Sequence, residues 1–262
     1  MEPIFIIKIG GNVIDDPAAL NSFLKDFSAI PARKILVHGG GKIATRLGEQ
    51  LGIRSKYVDG RRITDESTID LVTMVYGGLV NKQIVAKLQS AGCNAIGVTG
   101  ADANLIPAVR RPVKEIDYGF AGDLDSSLLS AGAWERLLEQ NLVPVVAPLT
   151  HDGKGQILNT NADTIASVVA TLLSIRWAVR LIFCFEKKGV LQDPHNEASV
   201  IPLITAETYP GLKQQNILSG GILPKIDNAF KALGAGVQEV LIGDARDLLQ
   251  NTGDRMQGTL IK

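Results

Sequence analysis

The stretch Ile4-Phe5-Ile6-Ile7-Lys8-Ile9-Gly10-Gly11-Asn12 constrains this chain more than any other. A short apolar run closed by glycines predicts a strand buried on both faces, as at the centre of an α/β sheet. Lys8 alone breaks the run. An ammonium in a buried strand is costly unless it meets negative charge. Lys8 stands two residues before a Gly-Gly turn, at the carboxyl end of the predicted strand. Open α/β sheets take their ligands at that end. Glycine amides approach an anion closely, and a lysine adds a point charge. The stretch therefore reads as a phosphate site. The competing reading is a lysine snorkelling from a strand end, beside glycines that only turn the chain.

At 262 residues the chain can bury a large core, as one α/β domain or two lobes. Lys+Arg and Asp+Glu both number 27, so no charge excess points to nucleic acid or a membrane surface. Cys93 and Cys184 both lie in apolar surroundings, which argues against a disulfide framework and for a reducing cytosol. No zinc-ligand spacing is present, and His38, His151 and His195 lie far apart, so no metal site is expected. No apolar run reaches membrane-spanning length, and no leader precedes the first strand. A cytoplasmic protein is expected.

Asp16-Pro17 starts a helix that runs to about Phe27, with Asp at the cap and Pro at the first helical position. Lys34 to Val37 is a strand that enters His38-Gly39-Gly40-Gly41-Lys42, and a helix follows over 43–51. Strand, glycine loop and helix together make an anion receptor. The spacing fits neither the dinucleotide fingerprint nor the P-loop. Ligand contact competes here with a turn built for close helix packing. Asp59 to Thr64 is a turn carrying Arg61 and Arg62, of which a guanidinium could grip a carboxylate. A long helix is expected over 65–90, its apolar stripe facing the core and in part a subunit interface. Further along, a strand is expected over 94–98, an exposed hairpin over 109–118, a helix over 126–140 and a strand over 143–149. Asn159, Asn161 and Asp163 then open a helix. One cap residue suffices, so the others are free to face a site.

The second half repeats this grammar. A strand over 179–185 leads into Glu186-Lys187-Lys188, and a helix covers 205–214. Ser219-Gly220-Gly221-Ile222-Leu223-Pro224-Lys225 is a second Gly-Gly turn with a lysine at a helix start. Both the macrodipole and the lysine favour an anion there. Strands follow over 238–242 and, at a sheet edge, 259–261. Lys8 and Lys225 approaching one phosphoryl group, with Asp163 holding them, would suit phosphoryl transfer. A carboxylate acceptor, with a pKa near ~4.3, is ionised at neutral pH and needs no general base.

In this order and spacing, K-I-G-G, H-G-G-G, G-R-R-I-T, N-x-N-A-D and S-G-G-I-L-P-K resemble the amino acid kinase family over essentially the whole chain. Within it the chain is most similar to the acylglutamate kinases. The resemblance implies a three-layer αβα sandwich around a mainly parallel open sheet. It also implies an acyl-amino-acid-binding N-terminal lobe, 1–175, and a nucleotide-binding C-terminal lobe, 176–262, on one continuous sheet. The implied reaction is ATP-dependent phosphorylation of the γ-carboxylate of an N-acylated L-glutamate, with Mg2+ carried by the ATP, in arginine biosynthesis. N-acetylglutamate is the first expectation for the acceptor, N-succinylglutamate or another carboxylate or carbamate the alternative. Lys8 and Lys225 match the lysines that stabilise the moving phosphoryl group, and Asp163 the aspartate that organises them. Gly10, Gly11 and Gly40 lie in turns whose amides face the phosphates, and Gly40 and Gly41 border the acceptor. Arg62 matches the arginine on the acceptor's α-carboxylate, and Asn159 a further acceptor ligand. Ser219, Gly220 and Gly221 fall in the nucleotide-side loop.

Two positions depart from the family pattern. Phe185-Glu186-Lys187-Lys188 stands where relatives carry a small hydroxyl residue and an aspartate, and Ile222 stands where methionine is usual. Arginine-inhibited hexameric relatives have a helix ahead of the first strand; none is read here, so a homodimer insensitive to arginine is expected. A sensor with a kinase-like fold is the rival from another class, and a nicotinamide-dependent dehydrogenase a third that the glycine spacing disfavours.

Overall fold

Ile4, Ile6, Ile7 and Ile9 are fully buried in the strand Pro3–Ile9 of the computed structural model, as the apolar run requires. The structure describes every residue except Asp59, Pro194, Asn216, Ile217, Ser219, Gly220 and Gly221, and the side chain of Pro224. Eight strands form a mostly parallel sheet in the order Leu203–Ile204, Thr259–Ile261, Glu239–Asp244, Ala178–Phe185, Pro3–Ile9, Arg33–His38, Val143–Val146, Ala95–Val98. Only the Glu239–Asp244 and Thr259–Ile261 pair is antiparallel among the described pairings of that sheet. No helix of the described residues is long and apolar enough to cross a membrane.

Two compact units divide the chain. One joins Met1–Ile35 to Ala166–Lys262, and the other is Leu36–Ile165. Pro3–Ile9 belongs to the first unit because it pairs with Ala178–Phe185, a contact that sequence does not reveal. In the first unit that pairing is parallel and in register from Pro3↔Ala178 to Ile9↔Cys184. Glu239–Asp244 continues it on the other side of Ala178–Phe185. Parallel register sets the carboxyl ends of these strands side by side, so Gly10, Glu186 and Asp244 share one end. In the second unit, Val143–Val146 pairs in parallel with the Leu36–Val37 part of its neighbour and with Ala95–Val98.

The helix expected at Asp16-Pro17 runs Pro17–Ala29, and the Asp16 carboxylate accepts from Ala18 N at 2.8 Å and Ala19 N at 3.1 Å. The single helix expected over 65–90 is three pieces: Glu66–Val72, a π-helical segment Thr73–Val80, and Asn81–Ser90. Over 126–140 a short 3-10 turn at Ser126–Leu128 precedes the helix Gly132–Glu139. The strand expected over 143–149 breaks after Val146, and Leu149–His151 pairs instead with Ile157–Asn159. Val109–Arg110 pairs antiparallel with Gly122–Asp123, so the expected hairpin closes later than residue 118. Thr259–Ile261 is not an edge: Leu203–Ile204 lies outside it.

Candidate active site

In the unit Leu36–Ile165 the site grows from the triple glycine. Gly40 has φ +152, and a Cβ on it would stand 2.9 Å from Cδ1 of Tyr76. The position admits only glycine without strain. Gly40→Ala is expected to cost about 1–3 kcal/mol of stability, read as a lower urea midpoint. The helix Gly41–Gln50 starts directly after the turn.

His38 holds the strand end. It is fully buried; its Nδ1–H donates to the Gly39 carbonyl at 2.7 Å, and Asn81 Nδ2 donates to its Nε2 at 3.1 Å. Asn81 also donates to Val145 O at 2.9 Å, so the glycine loop is tied to the next strand. Burial drives the His38 pKa down to about 4, partly offset by the bond to Gly39. The ring is therefore neutral at physiological pH. An unfolded histidine binds its proton near ~6.5, so His38 stabilises the fold above that pH and its contribution falls as pH drops towards 4. A loss of roughly 3 kcal/mol across that window is expected, and urea melts should show it flatten in His38→Gln.

Arg62 belongs to the short strand Arg61–Ile63 and is 7 % exposed. Its Nη2 donates to Gly41 O at 2.9 Å and to Thr45 Oγ1 at 3.0 Å, its Nη1 donates to Ser55 Oγ, and its plane lies 4.8 Å from the Tyr57 ring centroid. All these partners are neutral. A desolvated guanidinium held by neutral groups, with no carboxylate among the described residues, is built to receive an anion. Asn159 is fastened to the same structure: its Nδ2 donates to Thr64 Oγ1 at 3.1 Å, and Thr64 Oγ1 donates to Arg62 O at 3.2 Å. Gly119 permits this junction, since a Cβ there would stand 2.1 Å from Thr64 O at φ +66. Asn161 is the cap of the helix Ala162–Leu173: its Oδ1 accepts from Thr164 N at 3.0 Å. Asp163 lies in the first turn of that helix.

In the other unit, Gly10 N donates to Cys184 O at 3.1 Å, which closes the first glycine turn onto the neighbouring strand. Gly11 opens the short helix Gly11–Asp15. Asn12 Nδ2 donates to Glu186, so the residue that departs from the family pattern after Phe185 anchors this turn. Lys8 is the register partner of Phe183, so both side chains leave the same face of the sheet. The ammonium of Lys225, from the helix Ile222–Gly234, stands 6.0 Å from the centroid of that Phe183 ring. One buried ring is thus the common neighbour of two lysines that are 217 positions apart, 225 minus 8. Ser219, Gly220 and Gly221 lie outside the described residues. No group of three or more His, Cys, Asp or Glu among the described residues could cage a metal ion.

The model of the Amino acid kinase family matches residues 3–244. The chain belongs to the amino acid kinase family. A protein of Phocaeicola vulgatus named acetylglutamate kinase is 55% identical over 252 residues, which cover 96% of this chain and 97% of that one. One of Cytophaga hutchinsonii with the same name is 55% identical over 251 residues, 95% of this chain and 94% of that one. Among solved structures, smu.665 from Streptococcus mutans UA159 is 30% identical, with a TM-score of 0.79, covering 99% of this chain and 98% of the other. Thr45, Ser55, Tyr57 and Tyr76, which surround Arg62, were not flagged by sequence. They are single neutral residues in no motif, brought together only by folding.

Proposed function

We propose that this amino acid kinase transfers the γ-phosphoryl group of ATP to the γ-carboxylate of an N-acyl-L-glutamate, N-acetyl-L-glutamate first, giving an acyl phosphate for arginine biosynthesis. The observation that carries this reading is the buried guanidinium of Arg62, whose partners are all neutral. The two relatives named acetylglutamate kinase support the same acceptor.

Arg62 takes the acceptor's α-carboxylate in a forked, charge-assisted bond. Gly40 and Gly41 leave room for the chain of the acceptor, and Asn159 is its second polar contact. The γ-carboxylate oxygen forms a bond to the γ-phosphorus as the bond to the ADP oxygen breaks, and ADP leaves with the electron pair. No proton need be removed from the nucleophile. Negative charge spreads over the moving PO3 group, and Lys8 and Lys225 take it up. Asp163 fixes the two ammonium groups, and Gly10, Gly11, Ser219, Gly220 and Gly221 receive the nucleotide phosphates. The acceptor lobe is 1–175 and the nucleotide lobe 176–262. Mg2+ comes with the ATP.

We further propose a cytoplasmic homodimer. Met74, 57 % exposed, and Leu79, 42 % exposed, lie on the π-helical segment and give it an apolar outer face. Sedimentation of Leu79→Asp should show a shift to monomer, while an unchanged sedimentation coefficient would remove this face from the interface.

A further inference from the structure

We propose that Tyr76 is the second donor of the acceptor's α-carboxylate site: its phenol O–H binds the anion beside the Arg62 guanidinium. This rests on the acyl-glutamate reading and adds a specificity-determining residue to it.

Tyr76 is 5 % exposed and stands in the middle of the π-helical segment Thr73–Val80. The wide turn of a π-helix is an unfavourable local choice, and such turns recur at functional sites. Here it breaks a helix whose apolar spacing would continue as α. Against Gly40 the ring leaves no room for a Cβ, so the phenol is fixed in place by packing. The Arg62 guanidinium is its charged neighbour. The hydroxyl has one proton to give, and no described residue accepts it. Gly41 supplies the opening: a Cβ there would stand 4.0 Å from Arg62 Nη2 and 4.0 Å from the Tyr76 hydroxyl. The bare glycine leaves a recess that both donors border. Burial raises the Tyr76 pKa, against the pull of Arg62, so the phenol keeps its proton at neutral pH. Arg62 supplies charge and the phenol supplies direction. An anion accepting from both is held at two points, which selects a carboxylate over a neutral amide.

Tyr76→Phe removes only the hydroxyl and keeps the ring against Gly40. With N-acetyl-L-glutamate and ATP, the acceptor KM should rise about 10- to 100-fold, with kcat and the ATP KM within about twofold. Calorimetry with N-acetyl-L-glutamate and with its α-carboxamide should show that the wild-type preference for the carboxylate narrows in Tyr76→Phe, the share due to the Arg62 charge remaining. An unchanged acceptor KM in a variant of unchanged melting temperature would overturn the proposal. So would a loss of equal size for carboxylate and carboxamide. Arg62→Ala separates the two levels. If it raises the acceptor KM while Tyr76→Phe does not, only the role of Tyr76 falls. If Arg62→Ala leaves the acceptor KM unchanged, the acceptor site itself is misplaced.

Discussion

Lys8→Ala and Lys225→Ala should each lower kcat by about two to three orders of magnitude, with the acceptor KM little changed. Phosphoryl transfer asks little covalent chemistry of the protein, so loss of one positioned cation appears in the chemical step rather than in acceptor binding. Both side chains address Phe183, Lys8 through strand register and Lys225 through its ammonium at 6.0 Å from the ring centroid. Groups that act as one unit are not additive. The double variant should therefore fall little below the weaker single one. Effects that simply multiply would mean that the lysines act on separate events. Arginine should not rescue either position, because a planar fork does not reproduce a compact ammonium. Single-turnover phosphate transfer, with ATP saturating, measures these quantities without interference from product release.

Arg62→Met should lower kcat/KM for the acyl-glutamate by about two orders of magnitude or more, chiefly through KM, the scale for losing one side of a buried charge pair. The same substitution should leave the ligand-free protein as stable as wild type, or more stable by roughly 1 kcal/mol or more. The reason is the same observation read twice. In the free protein the guanidinium is buried and hydrogen-bonded only to neutral groups, so its desolvation is not offset by a counter-charge. An apolar chain of similar length removes that cost and also removes the receptor. Chemical denaturation of both proteins, with and without acceptor, checks the pair of outcomes. Acceptor should stabilise wild type and do little for Arg62→Met. A strongly destabilised free variant would mean that Arg62 is structural.

Much of this was legible in the residues. The run Ile4 to Ile9 predicted a central strand, and it is one, because continuous burial needs no long-range information beyond the run itself. Asp16-Pro17 predicted its helix start for the same local reason. The triple glycine announced a constrained turn, and Gly40 indeed adopts a φ that other residues avoid. What could not be read was non-local or off-period. Pairing of Pro3–Ile9 with Ala178–Phe185 joins the two ends of the chain, and no local pattern encodes it. The π-helical segment hid inside an apolar stripe read with an α period, so nothing singled out Tyr76. Thr45 and Ser55 are uninformative singly, and only the fold makes them part of the bed of Arg62. Glu186 looked like a departure from the family pattern, and its bond to Asn12 shows the position serving the first glycine turn.

The central claim is that this chain makes an acyl phosphate on a glutamate side chain. Hydroxylamine converts an acyl phosphate to a hydroxamate as it forms. Incubation of the protein with ATP, Mg2+ and hydroxylamine, across a panel of N-acyl-L-glutamates, should give ATP-dependent hydroxamate with N-acetyl-L-glutamate and none with Lys8→Ala beyond a trace. No hydroxamate with any acyl-glutamate in the panel, from a folded protein, would contradict the account.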